Sequence, residues 1–468
     1  MNKSQLIGGL TALLGESGVI SDVSRMAAYL NEPRKRFLVP AVAVARPAGV
    51  AQVQALCRWA NENRVALIPQ GGNTGLVGAQ VPLKGDEVIV SLQRLDKVRE
   101  VSAAAGHMTL EAGVILEHAH EVAAAAGAMF PLWIASQGSA RIGGVLGTNA
   151  GGVQVLAYGN ARELCLGVEA VLADGRLYQG LNALKKDNTG YDLKDLLVGS
   201  EGTLGIITAA TLKLFPSPEG YETAFCSVAG PEAALELFYL MRERAGSRLT
   251  AFELMPRFGL DLQLKHGMLA RDPTPGMSAW YALVEISRPV GGTPGTLESA
   301  LETAIERGIV GDASVALSEA DRLLMWAARE QMSEVQSKEG ASIKHDVSVP
   351  IALVPALIAD GVAAVAKVVP DIRPCAFGHM GDGNMHFNFS QPVDDDPTAF
   401  MGREGEVNAA VYEVVARLGG SISAEHGIGQ LKSGLLARTK DPVALEMMRA
   451  VKRALDPNGI LNPGKLLG

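Results

Sequence analysis

The chain has 468 residues, 48% of them hydrophobic and 20% charged, with a formal net charge of −8. This is the composition of an ordinary soluble globular protein with room for two or three domains and more than one filled core. The acidic balance and the lack of any Lys/Arg run exclude a nucleic-acid-binding stripe, so an anionic ligand needs a local cluster of cations.

Residues 1–35 read as a helical segment. Its apolar run at 6–10 is short and broken by Gly8 and Gly9, which fits an amphipathic first helix and not a signal peptide. No stretch of the chain reaches the ~18 consecutive apolar residues of a membrane span, so no integral membrane segment is expected. Cys57, Cys165, Cys226 and Cys375 lie far apart without a CxxC pair. They read as buried small apolar residues in a reducing compartment, and a cytoplasmic location is expected.

Residues 36–217 alternate short apolar runs with helical patterns. Strands are predicted at 41–44, 66–69 and 88–91, and a helix at 50–63 with Val53, Leu56, Cys57 and Ala60 on one face. Three glycine-rich loops punctuate this block. Gln70, Gly71, Gly72, Asn73, Thr74 and Gly75 follow a predicted strand directly. The second loop runs from Ser136 and Gly138 through Gly143 and Gly144 to Thr148, Asn149 and Gly152. The third carries Glu201, Gly202 and Ile207. Glycines at this density let successive backbone N–H groups turn toward one point, a nest for a pyrophosphate. Three such loops together suit a large, flat cofactor. No GxGxxG opens a strand–helix unit, so a nicotinamide dinucleotide fold is not signalled. The stretch Gly459–Leu466 meets part of a Walker A spacing, but it contains Pro463, lacks the final Ser/Thr and has no helix after it.

Phe215-Pro216-Ser217-Pro218 marks a domain boundary. Residues 218–420 read as a second α+β unit, with helices near 231–245, 296–306 and 320–338 and strands near 278–285 and 385–389. Within it, Gly378–Asn388 holds His379 and His386 with six residues between them, Gly381 and Gly383 included, a spacing that lets a loop fold back and bring both rings to one ion. Residues 421–468 form a last segment with a helix at 442–455, and Ser423–Gly427 supplies Glu425 and His426. Two imidazoles and a carboxylate are the ligand set of a catalytic Zn²⁺ site with an open position. With His379, His386 and Glu425 as ligands, the adjacent His426 is left to act as a base. A metal hydrolase would use the same ligands to activate water, but hydrolysis has no need of a cofactor bound by glycine loops.

The motifs PQGGNTGLVG, IGGVLGTNAGG, GSEGTLGIIT, GHMGDGNMHFNF, AEHGIG and LDPNGILNPGKL occur in this order over nearly the whole chain. As a set they resemble the FAD-linked D-2-hydroxy acid dehydrogenases of the vanillyl-alcohol oxidase type, most of all the D-2-hydroxyglutarate dehydrogenases. The resemblance implies an α+β fold: a PCMH-type FAD-binding domain (36–217) of two α+β subdomains and an α+β substrate-binding cap domain (218–420) with an antiparallel sheet. The segment 421–468, with Asn462, would complete the active site and the flavin site. No histidine stands in the first glycine loop, so FAD is expected to be non-covalent, with Gly71 to Gly75 on its pyrophosphate and the other two loops along the isoalloxazine and adenosine.

The same resemblance implies a metal-chelated 2-hydroxy acid, deprotonated by His426, with hydride transfer to flavin N5. Zn²⁺ is expected, with Mn²⁺ and Co²⁺ as alternatives. Arg329, Ser333 and Lys344 look like the positions that bind a distal carboxylate, and Asn384 or Asn388 like a group that orients substrate or flavin. D-2-hydroxyglutarate is then the expected substrate. The alternatives are a D-lactate or broad D-2-hydroxy acid dehydrogenase, D-malate included, and a flavin electron-relay subunit of a glycolate-oxidase-like complex. The implied partner is an electron acceptor such as an electron-transfer flavoprotein or a quinone, and a homodimer is the default from base rates.

Overall fold

The computed structural model describes residues 1–468, which divide into two compact units. The first comprises Met1–Gly152, Gly159–Ser217 and Glu425–Gly468, the second Val153–Tyr158 and Pro218–Ala424.

In the first unit, Leu67–Gln70 and Ala43–Ala45 pair in parallel with Val88–Ser91. Both faces of this small sheet are covered, which is why its strands read as continuous apolar runs. Ala43, Ala45, Leu67, Val88 and Val90 pack with Val53, Leu56, Cys57 and Ala60 of the Val50–Asn63 helix. Val44, Ile68 and Ile89 face the other way, against Ile20, Met26 and Tyr29. The N-terminal segment is therefore more than helical: Val19–Ile20 adds an antiparallel edge strand to this sheet.

A second, antiparallel sheet of five strands has the order Val98–Ser102, His107–Glu111, Ile206–Lys213, Cys165–Val171, Leu177–Gln179. The returning tail is tied to the strand that feeds the first glycine loop: Leu67 N–H donates to Ile460 O (2.8 Å) and Asn462 N–H to Leu67 O (2.8 Å).

The second unit is built on the antiparallel sheet Leu249–Pro256, Trp280–Arg288, Gly220–Val228, Val310–Val315. Side chains alternate along it. Ala224, Cys226, Ala282, Val284 and Ile286 meet the helices Pro231–Ala245 and Thr296–Glu306 on one face. Phe225, Tyr281 and Leu283 meet Met325, Trp326 and Ala328 of the helix Glu319–Glu330 on the other. A second sheet carries Arg373–Phe377, Asn384–Ser390, Ser342–Ile343 and Asp346–Ser348, all pairing with the Asn384–Ser390 strand.

The two sheets are stitched at one point, where Leu254 N–H donates to Gly378 O (2.9 Å) and Gly378 N–H to Leu254 O (3.0 Å). That bridge holds the start of the histidine loop. By length and composition alone the stretch Ile351–Val368 is apolar enough to cross a membrane. It is interrupted by Asp360 and Lys367, and Val354, Leu357, Ile358 and Val365 sit in the core of the second unit, as in the core helix of a globular domain.

Candidate active site

The glycine loops of the first unit line one cleft. Gln70, Gly71, Gly72, Asn73, Thr74 and Gly75 form one wall, Gly143, Gly144 and Thr148 a second, and Glu201, Gly202 and Ile207 a third. The glycines are needed by close approach of backbone to backbone. A Cβ on Gly72 would stand 2.0 Å from Ser139 O, so the 71–75 loop closes on the second loop only without one. Oxygens and nitrogens with no protein partner remain at this wall, among them Asn73 Oδ1 and Arg141 Nε. Such a cradle, with unsatisfied polar atoms buried in it, suits a cofactor of the size and flatness of FAD.

Arg141, in the second loop and not singled out from sequence, also lines the cleft; its place amid glycines, with no charged neighbour in the motif, hides it. Ser136, Gly138, Asn149, Gly152 and Asn462 do not line the cleft. Each makes contacts within the protein. Asn149 accepts from Arg162 N–H (2.9 Å), and Gly152 passes so close to Trp133 that a Cβ would lie 1.9 Å from its carbonyl oxygen. Ser136 O accepts from Ser139 and Ala140 N–H, Gly138 sits beside Glu117, and Asn462 Nδ2 donates to Ala79 O (3.0 Å) and Glu201 O (2.7 Å).

His426 lines the same cleft. The chain on its C-terminal side is pinned by Glu201, whose two carboxylate oxygens accept from Ile428 and Gly429 N–H at 2.7 Å each. Glu201 is thus a clasp for the His426 segment as much as a cleft residue.

In the second unit, the loop from Gly378 turns back on itself as predicted. His379 O accepts from both Asp382 and Gly383 N–H (3.1 Å each). Gly383 has φ +86°, and a Cβ there would strike Val349 O at 2.2 Å. The turn brings the His379 and His386 rings to 5.5 Å between centroids. Ligands ~2.1 Å from one ion stand at most ~4.2 Å apart, a spacing that two rings this close can reach by small side-chain rotations. Two neutral nitrogens and a carboxylate suit Zn²⁺. Burial pushes the carboxyl of Asp382, in the same turn, up to about 6.

Behind His379 stands a carboxylate that the sequence reading does not single out. Glu253 is 1% exposed. Its Oε1 accepts from His379 Nδ1 (2.8 Å) and its Oε2 from Arg329 Nε (2.5 Å). Burial would raise its carboxyl, but the contacts with His379 and Arg329 outweigh it and hold Glu253 down to about 2, against an ordinary 4.5. A folded value below the unfolded one gives stability that is complete above about pH 4.5 and lost as pH falls toward 2. Glu253→Gln should therefore cost roughly 3–5 kcal/mol near neutrality. Urea titrations should show its gap from the unmutated protein narrowing below pH 4.5, and a gap constant down to pH 2 would contradict this.

Arg329 is not on a solvated helix face: it is buried, and its Nη2 lies 3.4 Å from His379 Nε2. The long helix predicted at 320–338 breaks at Gln331 into Glu319–Glu330, Met332–Val335 and a 3-10 turn at Gln336–Glu339. Lys344 Nζ donates to Ser333 O (2.8 Å) and Ser333 Oγ (3.2 Å). Asn384 Nδ2 donates to Asp346 Oδ1 (3.0 Å) and Val347 O (3.1 Å), and Asn388 Oδ1 accepts from His345 N–H (3.3 Å).

A glycine-lined cleft in one unit and an antiparallel sheet with a histidine loop in the other fit an FAD-linked oxidoreductase. The chain belongs to the FAD-linked oxidase family: the C-terminal domain of FAD-linked oxidases matches residues 217–466 and an FAD-binding domain matches 41–180. It is 37% identical to D-2-hydroxyglutarate dehydrogenase of Xanthomonas citri pv. viticola, over 94% of this chain and 92% of that one. With the mitochondrial D-2-hydroxyglutarate dehydrogenase of Bos taurus it shares 38% identity over 90% and 76%. Among solved structures, p-cresol methylhydroxylase matches with a TM-score of 0.77 at 17% identity, covering 99% of this chain and 96% of that one. The 4-ethylphenol oxidase of Gulosibacter chungangensis matches with a TM-score of 0.73 at 19% identity and the same coverage, a likeness of fold.

Proposed function

We propose that the protein oxidises D-2-hydroxyglutarate to 2-oxoglutarate. The observation that carries this is a buried cation at the histidine loop, Arg329 against His379, with a second cation, Lys344, held on Ser333. A guanidinium offers a planar fork to a carboxylate and an ammonium a second point charge, more than a monocarboxylate needs once its own carboxylate and hydroxyl are engaged. The shared name of the relatives supports the same substrate.

Arg329 and Lys344 bind the distal carboxylate, and His426 takes the C2 hydroxyl proton on a ring nitrogen. His379, His386 and Glu425 would hold Zn²⁺, and the 71–75, 143–148 and 201–207 walls would hold FAD non-covalently. When bound, Zn²⁺ polarises the hydroxyl and FAD accepts the C2 hydride at N5. An electron-transfer flavoprotein or a quinone is the acceptor class that then reoxidises the enzyme.

The test is to mix the purified holoenzyme anaerobically with D-2-hydroxyglutarate, D-malate or D-lactate and follow flavin absorbance near ~450 nm. Fast bleaching by D-2-hydroxyglutarate is expected, and faster bleaching by D-lactate would replace the substrate. Lys344→Ala should raise KM for D-2-hydroxyglutarate about 10–150-fold, the loss of ~1.5–3 kcal/mol from a charge-assisted bond. KM for D-lactate should move little, and an equal rise for both would reject the role of Lys344.

A further inference from the structure

Glu253 lies in the strand Leu249–Pro256, where Phe252 and Leu254 enter one core and Ala251 and Met255 the other. A lone carboxylate among such neighbours is costly unless every oxygen is matched by a cation or donor. Here each oxygen meets a different functional side chain: Oε1 meets His379 Nδ1 at 2.8 Å and Oε2 meets Arg329 Nε at 2.5 Å. The backbone fixes this meeting, because the Leu254–Gly378 bridge and the bond from Gly381 N–H to Phe252 O (3.1 Å) clamp the histidine loop to the same strand.

We propose that Glu253 is a positioning residue that serves the metal ligand His379 and the carboxylate-binding Arg329 at once. Its role presupposes the metal and dicarboxylate chemistry proposed above.

Two independent contacts set the tautomer of His379. A carboxylate can only accept, so Nδ1 carries the proton. A guanidinium can only donate, so Nε2, 3.4 Å from Arg329 Nη2, presents a lone pair. That is the form in which an imidazole binds a metal through Nε2 while its other nitrogen is held by a carboxylate. On the second oxygen, Arg329 is anchored by Nε, and Phe377 lies under its guanidinium, 5.0 Å from carbon to ring centroid. With Nε fixed, the orientation of the two terminal nitrogens is fixed as well, and they keep donors to spare for a substrate carboxylate. One buried carboxylate thus aligns both ends of the substrate site.

Glu253→Gln tests this at nearly constant volume. A carboxamide has one acceptor and one donor end, so it can satisfy His379 or Arg329 but turns an N–H toward the other. In FAD-loaded full-length protein, Zn²⁺ affinity measured by chelator competition should fall about 10–100-fold. KM for D-2-hydroxyglutarate should rise about tenfold or more, with a smaller change for D-lactate and flavin content unchanged. Zn²⁺ affinity and both KM values equal to those of the unmutated enzyme would overturn the proposal.

If the variant does not fold, the unmutated enzyme decides. Histidine-selective ¹⁵N labelling of the chelator-treated protein, with His379 assigned by its loss in His379→Gln, should show Nδ1 protonated and Nε2 bare. The opposite tautomer would overturn the proposal. An enzyme that binds no divalent metal at all would sink the proposed metal chemistry, while the tautomer and the dicarboxylate KM would still judge Glu253.

Discussion

His379→Ala should abolish turnover and metal binding while FAD stays in place. The substitution removes one of the three proposed ligands, a ring 5.5 Å from that of His386 between centroids. Two remaining ligands do not hold a divalent ion against solvent at the usual affinities. Loss of the Lewis acid takes away several kcal/mol of transition-state stabilisation, at 1.36 kcal/mol per tenfold a fall of about a thousandfold or more. FAD retention is expected because no residue lining the flavin cleft comes from the histidine loop.

Metal content by elemental analysis, flavin by absorbance and turnover on D-2-hydroxyglutarate separate the effects. Activity near that of the unmutated enzyme would remove His379 from the metal site. His345→Ala is the contrasting variant. That ring is buried, with Nδ1 2.8 Å from Phe387 O, and its loss should lower stability more than metal content.

How far the sequence spoke depended on whether a feature was local. The helices at 50–63, 231–245, 296–306 and 442–455 appear with the predicted bounds, as does the strand at 88–91. Two of these helices open on a proline in their first turn, Pro231 and Pro442, where the missing N–H costs nothing. The histidine pair was legible for the same reason, since six intervening residues and two flexible glycines fix what the turn can do.

Glu253 was not legible in that way. Its partner His379 is 126 residues away, and the pairing exists only because two sheets meet at Leu254 and Gly378. The one local signal is a single carboxylate inside the apolar run Leu249–Pro256, a pattern that in a buried strand demands a partner. Val153–Tyr158 was invisible for a related reason. Nothing in its composition says that six residues leave the first unit to pack with the second.

His426→Ala should differ from His379→Ala in keeping the metal: both metal and flavin stay while catalysis is lost. His426 lines the cleft, yet the backbone that carries it is held from outside the ring. Ile428 and Gly429 are bound by the Glu201 carboxylate, and Gln430 and Leu431 N–H donate to Val77 O (3.1 Å each). Removing the imidazole therefore leaves Glu425 and the cleft wall in place. A positioned general base contributes about 10²–10⁴-fold, and kcat should fall by that factor with KM changed far less. A structural role would instead lower flavin or metal occupancy together with rate. The pH–rate limb set by the base should also vanish, leaving a flatter profile. A kcat within about threefold of the unmutated value, with metal and FAD retained, would place the base elsewhere.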